Sequence, residues 1–225
     1  MAIDVIIPCY GRVSCTESLL EDLACQTLPA HKIIIIDNAD DDATQQAIES
    51  YPKLPIQYIR NKENIGVNAS WNLGISLSKS PLVSIFNNDI VIPPFFLNFI
   101  FSAFLRENTG AVIPATASSI EAVRKAIEPP YVKTLPSSRR EGWAFTLRRS
   151  VIDVVGLIPP ELFCFFGDDW FFRGLNCLGF SSFKLVDVPV FHHGGISRRV
   201  TKGINIAEKI LFQQEEKIWQ RLISQ

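Results

Sequence analysis

Short apolar runs alternate with stretches whose apolar residues recur at helical spacing, and this alternation organises the N-terminal part of the chain. Ile3-Asp4-Val5-Ile6-Ile7-Pro8 is β-rich and closed by proline, which predicts a first strand. After Cys9-Tyr10-Gly11-Arg12, the segment Ser14-x-x-Glu17 has the form of a capping box, with Leu19, Leu20 and Leu23 as the apolar helix face. Lys32–Asp37 reads as a second strand, and its unbroken isoleucine run needs cover on both faces. A helix over 43–50, a strand over 56–60, a helix over 68–78 and a strand opening at Leu82 follow. Repetition of this kind implies a largely parallel, doubly wound α/β sheet.

Beyond Asp89 the chain becomes more aromatic. The pattern predicts a helix over 95–105, a strand over 110–113, an exposed proline-rich loop over 128–138 and a return to sheet over 142–147. Val188–Phe191 leads into His192-His193-Gly194-Gly195. In the last stretch, 205–224, Ile206, Ile210, Ile218 and Leu222 lie near helical spacing, which fits a packing or oligomerisation helix.

Two places break the apolar pattern with chemistry. The strand Leu82–Phe86 runs into Asn87-Asn88-Asp89, putting oxygen ligands at the carboxyl edge of a parallel sheet, where ligands bind in open α/β folds. Asp168 and Asp169 stand together amid Phe163, Phe165, Phe166, Phe171 and Phe172, a costly arrangement unless something uses the charges. Each place also has a plain structural reading. Asp89 can cap a turn, and the acid pair can open a helix.

Composition narrows the classes. With 225 residues, 47% hydrophobic and 20% charged, the chain can fill one domain and is not a disordered segment. A net charge of -1 gives no general reason to bind nucleic acid or anionic membrane. The pairs Arg139-Arg140, Arg148-Arg149 and Arg198-Arg199, with Lys202, read as solvated surface. Five cysteines without CxxC spacing argue against a zinc site and a disulfide framework and for a reducing compartment. There is no N-terminal leader pattern and no apolar run near the roughly 20 residues that span a bilayer. The expectation is a cytoplasmic protein, peripheral to a membrane at most.

Six motifs in order carry a resemblance. Val5-Ile6-Ile7-Pro8-Cys9-Tyr10-Gly11-Arg12, then Gln26-Thr27 with Ile33–Asn38 and Asp42, then Asn64-Ile65-Gly66 with Asn72-Leu73-Gly74, form the first three. Phe86-Asn87-Asn88-Asp89, then Gly142–Ser150 with Val155-Gly156, Asp168-Asp169 and Arg173, and His192-His193-Gly194-Gly195-x-Ser197 complete the set. Together they resemble the nucleotide-sugar-dependent glycosyltransferases of family 2, particularly their rhamnosyltransferase-like branch. The resemblance implies a GT-A (Rossmann-like) fold: a mostly parallel central sheet flanked by helices, an acceptor-side segment towards the C-terminus, and a terminal helix. It implies one domain over 1–225, with a nucleotide-sugar half (1–92), an acceptor and catalytic half (93–203) and a C-terminal helix (204–225).

The resemblance also implies roles. Asp89 stands in the DxD-type motif, with Asn87 where the first acid is usual, so Asp89 is the motif's one carboxylate for Mn²⁺ or Mg²⁺. His192 aligns with the family's histidine, and His193 is a second candidate ligand. Pro8, Tyr10, Arg12, Asp37, Asn38, Asn64, Gly66, Asn72, Asn87 and Asn88 are the candidate donor-binding residues. Asp37 would accept a base imide N–H, Tyr10 would stack on the base and Arg12 would reach phosphate. Asp169 is the candidate base, with Asp168 at the acceptor. Trp170-Phe171 replaces the usual hydrophobic-then-acidic pair, which implies an unusual acceptor pocket.

The implied reaction is an inverting, metal-assisted hexosyl or pentosyl transfer from a UDP-, dTDP- or GDP-linked sugar. The acceptor is a glycan, glycolipid or other hydroxyl compound, a modified nucleic-acid base being the remotest option. A nucleotidyltransferase should carry a glycine-rich loop after its first strand, and this loop has one glycine, Gly11. A dehydrogenase would show GxGxxG there. A silent binding module would hold a nucleotide sugar without releasing nucleoside diphosphate.

Overall fold

The computed structural model describes residues 2–137, 142–194 and 204–224. The first half is β1 (Ile3–Cys9), α1 (Val13–Ala24), β2 (Lys32–Asp37), α2 (Ala43–Glu49), β3 (Ile56–Arg60), α3 (Val67–Leu77) and β4 (Leu82–Phe86). Its strands lie in the order β3-β2-β1-β4, every pairing parallel. The chain continues through β5 (Ile90–Val91), α4 (Phe96–Ala103), β6 (Thr109–Thr116), α5 (Ile120–Arg124), β7 (Thr134–Pro136), β8 (Ala144–Arg148), α6 (Arg149–Val155), α7 (Gly167–Cys177), β9 (Ser181–His192) and α8 (Ile204–Ile223). Here the sheet becomes mixed: β8 is antiparallel to both β4 and β6, and β9 runs parallel to β6.

The isoleucine run of β2 works as the double-cover argument requires. Ile33 and Ile35 join Val5 and Ile7 in a core layer with Leu19 and Leu20 of α1 and Phe96 and Ile100 of α4. Ile34 and Ile36 join Ile6 in the opposite layer, against Trp71 and Ile75 of α3, Val151 of α6, Phe171 of α7 and Trp219 of α8. Burying each such isoleucine contributes roughly 1.5–3 kcal/mol, so a strand with two apolar faces is stable only in the middle of a sandwich. Parallel pairing then brings the ends of β1, β2 and β4 to one edge. That edge carries the site.

Several local expectations change. The capping box over Ser14 and Glu17 does not form. Gly11 (φ 66°) and Arg12 (φ 53°) both turn through the left-handed region, so the helix starts at Val13 and Ser14 is already inside it. The proline-rich loop contains β7, which pairs antiparallel with β9 through Thr134–Pro136. Arg148 and Arg149 are not a solvated pair. Arg148 donates to the carbonyls of Thr109, Phe104 and Arg106, and Arg149 to those of Ser80, Ile75 and Ser78. These guanidinium groups satisfy chain-end carbonyls around β4 and β6. Arg139-Arg140, Gly195, Ser197, Arg198-Arg199 and Lys202 lie outside the described residues. All five cysteines are free thiols. Among the described residues no helix is long and apolar enough to cross a membrane.

Candidate active site

The end of β4 is held from three sides. Asn87 donates its main-chain N–H to Trp143 O (2.8 Å). The Asn88 side chain donates to Thr16 Oγ1 at 3.0 Å and reaches Gly11 O at 3.5 Å, tying the motif to the loop between β1 and α1. The main-chain oxygen of Asp89 accepts from His193 N (3.0 Å), and the next residue, Ile90, pairs with His192 across β5 and β9. This register sets His192 beside Asp89, with Nε2 3.1 Å from Oδ1 and both side chains largely buried. The approach lacks hydrogen-bond geometry, so Nε2 is a buried ring nitrogen with no hydrogen-bond partner among the described residues. Trp143 stacks on the His192 ring at 5.1 Å and fixes its plane.

Asp168 and Asp169 occupy the first turn of α7, where a helix dipole favours negative charge. The helix is entered through Phe166 in the left-handed conformation (φ 62°), which costs an ordinary residue about 1–2 kcal/mol. Surrounding contacts must therefore hold it. The adjoining loop is clamped by α3: Asn68 donates to Leu162 O (3.0 Å) and Phe165 O (2.9 Å). Gly66 (φ 84°) lets the chain pass Phe163, whose carbonyl oxygen lies 2.6 Å from where a Cβ would stand. Gly142 adjoins the Asp168 carboxylate, a Cβ there falling 3.0 Å from Oδ2. Gly142-Trp143 thus sits between the acid pair of α7 and the Asp89–His192 pair.

These groups open on one cavity of about 540 Å³. Of the residues singled out in the sequence, Pro8, Tyr10, Asn38, Asn64, Gly66, Asn87, Asn88, Asp89, Asp168, Asp169 and His192 line it. Tyr10 is 61% exposed, at its rim. The structure does not bring the others to its wall. Asp37 is fully buried, and its oxygens accept from Tyr58 Oη (2.8 Å) and Ala39 N (3.0 Å), so no oxygen is presented to a base. Asn72 brackets Ile158, donating to its carbonyl and accepting from its N–H. The His193 ring packs edge-on against Phe191. Arg12 ends the loop at the N-terminus of α1, where its charge opposes the rise of the Cys15 thiol. Asn38 lines the cavity, yet its amide is engaged with Ser70 and Asn61.

Aromatic residues complete the lining. Trp143, Phe163, Phe165, Phe166 and Phe212 face the cavity, and only the density of phenylalanine around Asp168 hinted at them. Phe212 comes from α8 and carries no local signal. The implied change of acceptor pocket through Trp170-Phe171 is not what the structure shows. Trp170 donates to Gly156 O, and Phe171 is fully buried in the core.

Electrostatics restrict the candidate chemistry. Burial pushes the Cys9 thiol up to about 12, outweighing the hydrogen bond with Thr16, so this cavity-lining cysteine stays protonated and is no nucleophile. The Cys15 thiol is also raised, by burial first and then by the Asp89 charge, with Arg12 opposing. The carboxylates of Asp89, Asp168 and Asp169 and the His192 imidazole remain in the cavity wall as groups able to take a proton.

Comparison with known proteins decides the family. The model of glycosyl transferase family 2 matches residues 4–153. The chain belongs to glycosyl transferase family 2. EpsH of Bacillus subtilis, a glycosyltransferase by name, is 24% identical over 210 residues, covering 85% of this chain and 60% of EpsH. The S. aureus TarS 1–349 crystal structure superposes with a TM-score of 0.70 at 18% identity, covering 85% of this chain and 60% of that one. TarS has also been crystallised with UDP and with UDP-GlcNAc. The mannosyltransferase PcManGT of Pyrobaculum calidifontis, solved with GDP-Man and Mn²⁺, gives 0.65 at 19% identity, covering 86% of this chain and 58% of its own. These likenesses show a GT-A fold, and the chain spans about three-fifths of EpsH, of the TarS 1–349 chain and of the PcManGT chain, and 36% of the longer TarS chain. Within this family-2 chain the matched segment holds β1 to β4 and the Asn87–Asp89 motif. The acid pair, His192 and α8 lie beyond it.

Proposed function

We propose that the protein transfers a sugar from a nucleoside-diphosphate donor to an acceptor hydroxyl with inversion at the anomeric carbon. The observation that carries this reading is one cavity lined both by Asp89 with His192 and by Asp168 with Asp169. Glycosyl transfer needs two things in one place: stabilisation of a departing diphosphate and a base for the attacking hydroxyl.

A divalent cation suits the first end. Among the described residues no group of three or more metal-ligating side chains occurs. Mn²⁺ or Mg²⁺ bound with a diphosphate needs only one or two protein ligands, the rest being phosphate and water oxygens. Asp89 offers a carboxylate and His192 an otherwise unpartnered nitrogen, and stacking by Trp143 keeps that ring in place. When bound, the cation supplies charge stabilisation on the leaving diphosphate. Tyr10 at the rim offers an aromatic face to the base, and Asn88 holds the loop beneath it. Mn²⁺ with GDP-Man in PcManGT, and UDP-GlcNAc in TarS, support the donor class without fixing the base or sugar.

At the other end Asp169 takes the proton of the acceptor hydroxyl, and Asp168 orients that acceptor beside Gly142. A single displacement with the base opposite the leaving group inverts the anomeric centre. Hydroxyl acceptors, a glycan or glycolipid among them, fit the aromatic walls, whose faces pack against the C–H face of a ring.

Asp169→Asn tests the reading. Nucleoside-diphosphate release from a panel of nucleotide sugars with Mn²⁺ should fall by about 10²–10⁴-fold while binding of the donor persists. Release at the parent rate would remove Asp169 as base. A parent that binds donors and releases no nucleoside diphosphate, to water or to any of a panel of hydroxyl acceptors, would instead be a binding module.

A further inference from the structure

We infer that Glu215, on the C-terminal helix α8, is a positioning residue for the acceptor-side carboxylates, so that α8 is part of the catalytic apparatus. The inference rests on the transferase reading above, and Glu215 and the loop it holds lie outside the segment that the family model matches.

Glu215 is 1% exposed. Burying a carboxyl group costs several kcal/mol unless it is hydrogen-bonded, and here main-chain donors of the Phe163–Phe166 loop provide the bonds. Oε2 accepts from Phe165 N at 2.8 Å and from Cys164 N at 3.2 Å, while Oε1 lies 3.1 Å from Cys164 N. The same loop gives its carbonyls, Leu162 O and Phe165 O, to Asn68 of α3. Its N–H groups are thus held from one helix and its carbonyls from another.

The clamp is continued by rings. Phe212 of α8 packs on Phe165 (5.1 Å) and Phe166 (5.4 Å), and Trp219 stacks on Phe166 at 5.7 Å. Phe166 is the residue in the left-handed conformation that launches α7, and Asp168 and Asp169 follow within one turn. Release of the loop allows Phe166 to relax to a commoner conformation and rotates the first turn of α7. A carboxylate misplaced by an ångström loses much of its value as a base. Glu215 touches no reacting atom; it acts through the loop.

The test compares two substitutions. Glu215→Gln keeps an oxygen where Oε2 stands, and with it the Phe165 bond and the longer of the two Cys164 bonds, and loses only the Cys164 bond to Oε1. Glu215→Leu fills the space with an apolar group and leaves the Cys164 and Phe165 N–H groups without that acceptor. We expect Glu215→Leu to lower nucleoside-diphosphate release by on the order of tenfold to a hundredfold. Glu215→Gln should stay within about threefold of the parent. Binding of UDP or GDP with Mn²⁺, measured by calorimetry, should be unchanged in both, because the Asn87–Asp89 end is untouched. Amide hydrogen exchange at Cys164 and Phe165 should accelerate in Glu215→Leu only.

Parent-like turnover in Glu215→Leu overturns the inference, as does a loss of nucleotide binding that tracks the loss of turnover. If the parent turned over no nucleotide sugar, the transferase reading would fall. Amide exchange decides the latch separately, and unchanged protection in Glu215→Leu refutes it. Should Glu215→Leu fail to fold, Glu215→Ala decides: faster exchange at Cys164 and Phe165 with reduced turnover and unchanged nucleotide binding supports the latch, and parent-like exchange or turnover refutes it.

Discussion

At the scale of single residues, the proposed donor end turns on Asp89 and His192. The resembled DxD-type motif has its first acid where this chain has Asn87, and its last where this chain has Asp89. Asn87 is anchored through its N–H to Trp143, and Asn88 reaches back to Thr16. In the proposed reading the carboxylate of Asp89 therefore works with the ring of His192, 3.1 Å away, rather than with a second acid. Asp89→Ala should lower the Mn²⁺-dependent affinity for a nucleoside diphosphate by at least about tenfold. It should leave metal-free binding little changed, since the His193 N–H bond goes to the main-chain oxygen, which the variant retains. Titration with and without Mn²⁺ distinguishes the outcomes, and equal affinities in parent and variant would return Asp89 to the role of a turn residue.

At the scale of elements, the site is assembled by close approaches between segments far apart in sequence. Gly66 precedes α3 and Phe163 precedes α7, and the two meet where a side chain on residue 66 has no room. Gly66→Ala combines a positive φ with a Cβ 2.6 Å from a carbonyl oxygen. The expected cost is about 1–3 kcal/mol of stability. Urea unfolding measures it, and activity should fall further than stability because the displaced loop carries Phe165 and Phe166 into the cavity wall. A variant as stable and active as the parent would mean that the loop yields without consequence. The glycine itself was legible in the sequence as part of Asn64-Ile65-Gly66, whose Asn64 side chain accepts from Gly66 N. Its partner was not, because nothing local marks the neighbour that a glycine must admit.

At the scale of the whole molecule, the parallel half is stitched at its other edge by Asp4. Its buried carboxylate accepts from Ser78, Ser80 and His31, joining β1 to the turn before β4. Burial raises the Asp4 pKa, but the hydrogen bonds from Ser80, His31 and Ser78 outweigh it, and the net shift is downward. A carboxyl group whose pKa is lower folded than unfolded stabilises the fold above its ordinary range, near about pH 4, and this contribution fades as pH falls through the depressed value. Asp4→Asn should therefore be less stable than the parent at neutral pH, with the gap closing on acidification below that range. Urea midpoints across pH provide the check, and a gap independent of pH would assign the loss to packing alone.

The sequence by itself determined the strand–helix frame, because periodicity and the two-faced isoleucine run of β2 report burial directly, and burial is local in its demand on residue type. It also determined the carboxyl-edge acid Asp89, since a buried strand that stops at Asn87-Asn88-Asp89 must deliver it to the sheet edge. Only the tertiary structure decided which candidates share a cavity. Asp37 and Asn72 have the right chemistry, but their hydrogen-bonding groups are taken by Tyr58, Ala39 and Ile158. The same holds for α8. Its apolar spacing announced a packed helix, whereas its target, the loop that launches Asp168 and Asp169, is set by long-range bonds from Glu215 that no window of sequence contains.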